Sequence, residues 1–199
     1  DTSPHSMNLL ILKLGPMLKL QTQHMDFLIR NLSYFRLNHV EQLSPFLESI
    51  SLEEFLSQII ESWKISAQHA NINLSLQCPP INIPAYTDRM FLKQILDNLI
   101  SNALKYSPTQ TQVLVLVKFN NEDILIEVSD EGLGIPLEDQ ERIFKRFERA
   151  GNPDRPREHS IGLGLWIISL LAPLIKAEVS IVNSSNKGST FRLTLKDYL

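Results

Sequence analysis

Asn98 and Asn102 stand four residues apart in the run Gln94-Ile95-Leu96-Asp97-Asn98-Leu99-Ile100-Ser101-Asn102-Ala103-Leu104-Lys105-Tyr106. On a helix that spacing puts both amides on one face, with Leu96, Leu99, Ile100 and Ala103 on the opposite side. Such a face can offer carbonyl oxygens to a hard cation, and the lysine that follows can offer an ammonium to phosphate; the bland alternative is a solvated polar surface. A second group is Val128-Ser129-Asp130-Glu131-Gly132-Leu133-Gly134-Ile135-Pro136. There a carboxylate ending a strand can accept a hydrogen bond from a ligand amine, and the glycines let backbone approach the ligand closely. Taken alone, any tight turn fits that pattern. The third group, Ser160-Ile161-Gly162-Leu163-Gly164-Leu165, directly precedes a helical pattern. Glycines at a helix start leave backbone N–H groups for an anion and suit a di- or triphosphate. A dinucleotide-binding fold fails its context here, since neither the preceding strand nor the following βαβ unit is present.

The periodicities around these groups define what must hold them. Residues Asp88 to Tyr106 form a strongly periodic helix stopped by Ser107-Pro108, and Val113 to Phe119 with Ile124 to Ser129 read as a hairpin. Upstream, Ser51 with Glu54 gives a capping-box pattern opening a helix to about His69, followed by a strand over Ile72 to Leu76. Downstream, the pattern predicts a short helix over Glu138 to Phe147, a polar stretch from Gly151 to Ser160 and a helix over Leu163 to Ile175. Strands over Glu178 to Val182 and Thr190 to Leu195 close the chain. The first fifty residues differ: an apolar stripe through Leu18, Met25, Leu28, Ile29, Leu32 and Phe35 predicts a long helix that needs a partner, with Gly15-Pro16 separating it from a shorter helical run. The expected fold class is α+β, a two-layer sandwich of helices on one face of a mostly antiparallel sheet, preceded by an α-helical hairpin segment. The boundary falls so that residues 1–47 form the helical segment and 48–199 the α+β domain.

Composition bounds the function. The chain has 199 residues, of which 43% are hydrophobic, enough for a sizeable core, and 19 basic residues against 22 acidic ones give a net charge of -3. A sequence-wide nucleic-acid footprint is therefore not expected. Cys78 is the single cysteine, which excludes an intrachain disulfide and favours a cytoplasmic setting. No run reaches about 18 uninterrupted apolar residues, so a membrane anchor is expected only in segments outside this chain. The opening Asp1-Thr2-Ser3-Pro4 has no basic n-region of a secretory signal, and reads as an internal cut of something longer.

Together, the asparagine helix, the acidic glycine turn, the run Arg142-Ile143-Phe144-Lys145-Arg146-Phe147-Glu148-Arg149 and the Gly-Leu-Gly-Leu helix start closely resemble, in order, the N, G1, F and G2 boxes of sensor histidine kinases. The resemblance covers roughly Ser51 to Leu195. It implies the ATP-binding sandwich fold shared with gyrase-type and heat-shock ATPases, and ATP with Mg2+ as ligands. Carried over, Asn102 would coordinate magnesium, Asn98 would lie beside the triphosphate, Lys105 would contact phosphate and Tyr106 would stack near the adenine. Asp130 would accept the adenine amino group, while Gly132, Gly134 and Ile135 form the loop over the base. Gly162, Leu163, Gly164 and Leu165 would hold phosphates through backbone amides, and Thr190 would support the adenine side. Phe144 and Phe147 would anchor the near end of an ATP lid matching Gly151 to Ser160, with Arg149 as a phosphate contact. Ser160 stands where the family usually has the first glycine of its G2 box.

Gyrase-like ATPases place a water-activating glutamate where this chain has Asn98. An amide cannot take a proton at neutral pH, so the resemblance favours phosphoryl transfer over hydrolysis. Asp97 is turned about 100° away around the helix and is not expected to be the base. The family transfers phosphate to a histidine in a dimeric helical hairpin and then to a response-regulator receiver domain, which implies a homodimer through the N-terminal helices. The family's His-(Glu/Asp)-x-x-(Ser/Thr)-Pro run is absent. His5, just after Thr2-Ser3-Pro4, is the candidate phosphoacceptor, against the reading of an ordinary exposed histidine. A nucleotide-binding module without autokinase activity and an anti-sigma-type serine kinase on the same fold are the alternatives.

Overall fold

The structure, a computed structural model, describes residues 43–79, 84–120, 123–151 and 162–196. All of them fall in the second of the two units into which the chain divides, His39–Leu199. His5, the N-terminal helical runs and residues 152–160 of the polar stretch lie outside the described residues.

Strand β1 (Leu47–Ser51) leads into helix α1 (Leu52–His69), followed by β2 (Asn73–Gln77) and β3 (Pro84–Asp88). Helix α2 (Arg89–Tyr106) comes next, then the hairpin β4 (Gln112–Asn120) and β5 (Asp123–Ser129). After two single-turn 3₁₀ segments, helix α3 (Gly164–Leu171) and a 3₁₀ turn (Ala172–Ile175) precede β6 (Ala177–Ser185) and β7 (Gly188–Leu195). The main sheet has the order β2-β4-β5-β7-β6, with β2 parallel to β4 and every other pair antiparallel.

Alternation decides which face is core. Val113, Val115 and Val117 of β4, Ile124, Ile126 and Val128 of β5, and Phe191, Leu193 and Leu195 of β7 are buried on the face that meets the helices. Leu92, Ile95, Leu96, Leu99 and Ile100 of α2 and Ile167, Ile168 and Leu171 of α3 complete that core. This is the α+β sandwich that the periodicity predicts.

Several local readings change. The Ser51–Glu54 capping box does not form: Ser51 ends β1 and its side chain caps nothing. The cap that matters belongs to Asp88, whose Oδ1 accepts the N–H groups of Met90 and Phe91 at 2.8 and 2.9 Å. Its Oδ2 accepts the N–H of Phe46 at 2.7 Å. One carboxylate thus starts α2, worth about 1 kcal/mol as a cap, and fastens β1 to β3, a two-stranded antiparallel pair. The helix expected over Glu138 to Phe147 is instead the two 3₁₀ turns Leu137–Asp139 and Arg142–Phe144. Pro173, which has no N–H to donate, turns the expected end of the last helix into 3₁₀ geometry.

Candidate nucleotide-binding site

The two amides of α2 do not lie on a solvated face. Asn98 is 1% exposed, and its Nδ2 donates to the Gln94 carbonyl oxygen at 2.8 Å. Its Oδ1 is buried without a hydrogen-bond partner. Above it lies the start of α3: a Cβ added to Gly164 would stand 2.9 Å from Asn98 Oδ1 and 3.9 Å from Asn102 Nδ2. At Gly164 the α3 backbone rests on the side chains of α2. Lys105 is exposed, with its Nζ 5.5 Å from the ring centroid of the neighbouring Tyr106.

The C-terminal end of α2 meets the acidic turn. A Cβ on Gly132 would lie 2.6 Å from the Tyr106 carbonyl oxygen, so the turn after β5 sits directly against the helix end. Asp130 Oδ1 accepts the N–H of Gly132 at 2.8 Å and that of Ser189 at 3.3 Å, and the Asp130 N–H donates to the Ser189 carbonyl at 2.9 Å. Gly188, at φ +126°, packs so tightly on the Asp130 carbonyl that a Cβ would collide with it, and a Cβ on Gly134 would collide with the Ser185 carbonyl. The N–H of Ile135 donates to Ser184 Oγ at 2.6 Å, and Thr190 Oγ1 shares a hydrogen bond with Ser129 Oγ at 2.9 Å. The β6–β7 hairpin therefore carries the acidic turn on its back.

The third wall is the Phe144–Arg149 run. The Phe144 ring meets Phe191 of β7 edge-on, with centroids 6.4 Å apart. Phe147 has φ +65°, and its N–H donates to the Gly162 carbonyl at 2.9 Å. Leu163, the residue before α3, is buried, and Leu165 is half-buried beside it. Arg146 lies over the Trp166 ring, 4.5 Å from its centroid, and Arg149 is half-buried. The described candidates from all four sequence groups thus converge on the C-terminal half of α2 and the start of α3.

Sequence reasoning missed two supports. Asp139 is buried; its Oδ2 accepts the Gly151 N–H at 2.7 Å and its Oδ1 receives Arg142 Nη2 at 2.5 Å. The hydrogen bond and charge of Asp139 push the Arg142 guanidinium pKa above its ordinary value. Asp97 is likewise occupied, taking Trp63 Nε1 at 2.8 Å and Lys93 Nζ at 2.6 Å. Neither pairing has a local signal, since Asp139 and Gly151 are 12 positions apart and Trp63 and Asp97 are 34 apart.

What the arrangement can do follows from its atoms. Backbone at the start of α3, glycines admitting close approach and an amide pair beneath can receive a phosphate chain, and a strand-end carboxylate can take an amine. A sandwich of this topology with these three walls defines a nucleotide-binding ATPase domain. Residues 87–199 match the family "Histidine kinase-, DNA gyrase B-, and HSP90-like ATPase", and the chain belongs to it. Its match is to the histidine kinase branch: it is 31% identical to the sensor-like histidine kinase SenX3 of Mycolicibacterium smegmatis over 163 residues, 82% of this chain and 42% of that protein. It is 35% identical to the histidine protein kinase SaeS of Staphylococcus aureus over 151 residues, 74% of this chain and 43% of that protein. The chain thus spans about two fifths of the length of these relatives. The solved Acinetobacter baumannii histidine kinase AdeS superposes with a TM-score of 0.70 at 21% identity, covering 90% of this chain and 81% of that one, a likeness of fold.

Proposed function

We propose that this chain carries the catalytic ATP-binding part of a two-component sensor histidine kinase, which passes the γ-phosphate of Mg-ATP to a histidine and then to an aspartate of a response-regulator receiver domain. The observation that carries the reading is that the turn of Asp130 and the Gly162–Gly164 cradle both pack on the C-terminal half of α2, which carries the Asn98–Asn102 pair.

On this reading Asp130 takes the adenine amino group, with its Oδ1 already oriented by two backbone N–H groups. Gly132, Gly134 and Ile135 shape the loop over the base, with Thr190 and Tyr106 beside it. Gly162, Leu163, Gly164 and Leu165 present backbone amides to phosphate, Lys105 and Arg149 add positive charge, and Phe144 and Phe147 wall the phosphate side. Among the described residues no group of three or more His, Cys, Asp and Glu could hold a metal ion. An amide oxygen from Asn102 suits a hard cation that arrives with its own phosphate oxygens. Bound Mg2+ would neutralise phosphate charge and orient the terminal phosphoryl group. Asn98 cannot deprotonate water, and its burial keeps solvent from that position, which supports transfer over hydrolysis.

The receiver domain, a homodimer through the N-terminal helices, the domain boundary at residue 47 and a cytoplasmic setting belong to the same proposal. His5 is its candidate acceptor. Calorimetry with a non-hydrolysable ATP analogue tests the binding half: Asn102→Ala and Asp130→Ala should each weaken affinity at least about a hundredfold, the loss of a charge-assisted contact and of a metal ligand. Unchanged affinity in both variants would overturn the reading. Incubation with γ-labelled ATP tests the transfer half; acid-labile label supports it, and acid-stable label on a partner protein indicates a serine kinase instead.

A further inference from the structure

We propose that Asp139 is a positioning residue for the phosphate side of this site, acting through Gly151 and Phe147 on the glycine cradle at the start of α3. The inference rests on the nucleotide-binding reading above and adds to it a residue with no place in the binding face itself.

The geometry is a chain of contacts. Asp139 is buried, 5% exposed, and spends both oxygens on residues that flank the Phe144–Arg149 run: Oδ2 on the Gly151 N–H at 2.7 Å, Oδ1 on Arg142 Nε at 3.2 Å and Nη2 at 2.5 Å. Arg142 then reaches forward with Nη1 to Glu148 Oε2 at 2.8 Å. The carboxylate therefore closes a loop from 139 to 151 and the guanidinium crosses its middle. Within that loop Phe147 adopts φ +65°, a conformation costly for a phenylalanine unless its surroundings impose it. The imposed shape places the Phe147 N–H 2.9 Å from the Gly162 carbonyl oxygen. Gly162, at φ +74°, has room for no Cβ, which would stand 2.8 Å from the Phe147 carbonyl carbon. Two residues on, Gly164 rests on the Asn98 amide. Removing the charge of Asp139 while keeping its shape leaves one oxygen for donors on two sides, so either Gly151 or Arg142 loses its acceptor. Phe147 is then no longer held in the left-handed region, and the Gly162 carbonyl loses its fixed donor.

The effect should fall on phosphate and spare the base, whose turn is held separately by the β6–β7 hairpin. The experiment titrates the full chain, wild type and Asp139→Asn, with adenosine and with a non-hydrolysable ATP analogue, and follows thermal unfolding alongside. The proposal expects the analogue to bind about tenfold more weakly in Asp139→Asn, with adenosine affinity within about twofold. Glu127→Gln is the control: it neutralises a buried sheet carboxylate paired with Lys118 and Arg192, outside the site, so both ligands should bind as in wild type. If Asp139→Asn does not fold, Gly151→Pro removes the same hydrogen bond from its donor side and should show the same split between ligands. Equal weakening of both ligands, or none of either, overturns the role of Asp139. Wild-type chain that binds neither ligand overturns the nucleotide reading itself, a separate result.

Discussion

The acidic turn after β5 and the cradle at the start of α3 both depend on glycines, but they depend on them differently. Around Asp130 the missing side chains face main chain: Gly132 abuts the Tyr106 carbonyl, Gly134 the Ser185 carbonyl and Gly188 the Asp130 carbonyl. Backbone carbonyls cannot swing aside, so this half is fixed by geometry at several points. At the start of α3, Gly164 faces the Asn98 side chain, and Gly162 faces a phenylalanine backbone that is itself held in a strained conformation by remote groups. One half is rigid by construction and the other is rigid only while Asn98 and Asp139 keep their partners. On the proposed reading the rigid half takes the base, whose shape is constant, and the conditional half takes the phosphates, which change during the reaction.

The largest effect that could break this contrast comes from Gly188→Ala. An L side chain at φ +126° is strained and its Cβ meets an immovable carbonyl, so unfolding stability should fall by about 3 kcal/mol or more, lowering Tm by roughly 10 °C. Thermal unfolding measures it; a loss under about 1 kcal/mol would show the turn to be as compliant as the cradle. Gly164→Ala should behave otherwise. Its Cβ meets the end of a side chain at 2.9 Å, and alanine regains helix propensity of about 1 kcal/mol, so stability should change by no more than about 1 kcal/mol. Its cost should depend on the neighbour: in an Asn98→Ala background the same substitution should be stabilising, with a coupling of about 1 kcal/mol in the double-mutant cycle. Additive effects would mean that Gly164 and Asn98 do not press on each other.

The same contrast explains what could be read from the chain before its fold was known. Helix α2 and the β4–β5 hairpin are legible because burial repeats at their own periods, as in Val113, Val115 and Val117. Asp130, Gly132, Gly134, Gly162 and Gly164 stand out as candidates because four groups occur in one order along the chain, although the acidic glycine turn alone would fit any tight turn. Strand β1 escapes notice because only Ile50 in it is buried, and its partner β3 opens with Pro84, which reads as punctuation. Where a helix is expected the chain forms two 3₁₀ turns, and Asp139 at the end of the first spends one oxygen on Gly151, 12 positions away, a pairing with no local signal. Asn98 keeps the right helical position but the wrong environment: spacing places it opposite the apolar stripe, and only tertiary packing shows that α3 covers that face. Candidate site residues are thus legible as types, while the groups that hold them are not.

The smallest effect concerns a region outside both halves, which sharpens the comparison by leaving the site alone. On the open face of the sheet, Glu127 is 5% exposed and accepts Lys118 Nζ at 2.8 Å on one oxygen and Arg192 Nε and Nη2 at 2.9 and 2.5 Å on the other. Burial raises its pKa, but the hydrogen bonds and charges of Lys118 and Arg192 outweigh that and hold it below its ordinary value of 4.5. A carboxyl whose folded pKa is depressed adds stability that is fully present above the unfolded value and fades as pH falls through the folded one. Glu127→Gln should therefore cost about 0.5 to 1 kcal/mol near neutral pH, a modest figure because both cations are partly solvated. The gap between variant and wild type should narrow as pH drops below about 4.5, the ordinary value from which Glu127 is displaced. Denaturant unfolding across that range measures the gap, and ATP-analogue affinity at neutral pH should not move. A gap that stays constant with pH would assign the cost to packing and not to charge. A fall in affinity would show that the sheet's open face communicates with the turn at Asp130, and the separation of the two halves from the rest of the fold would fail.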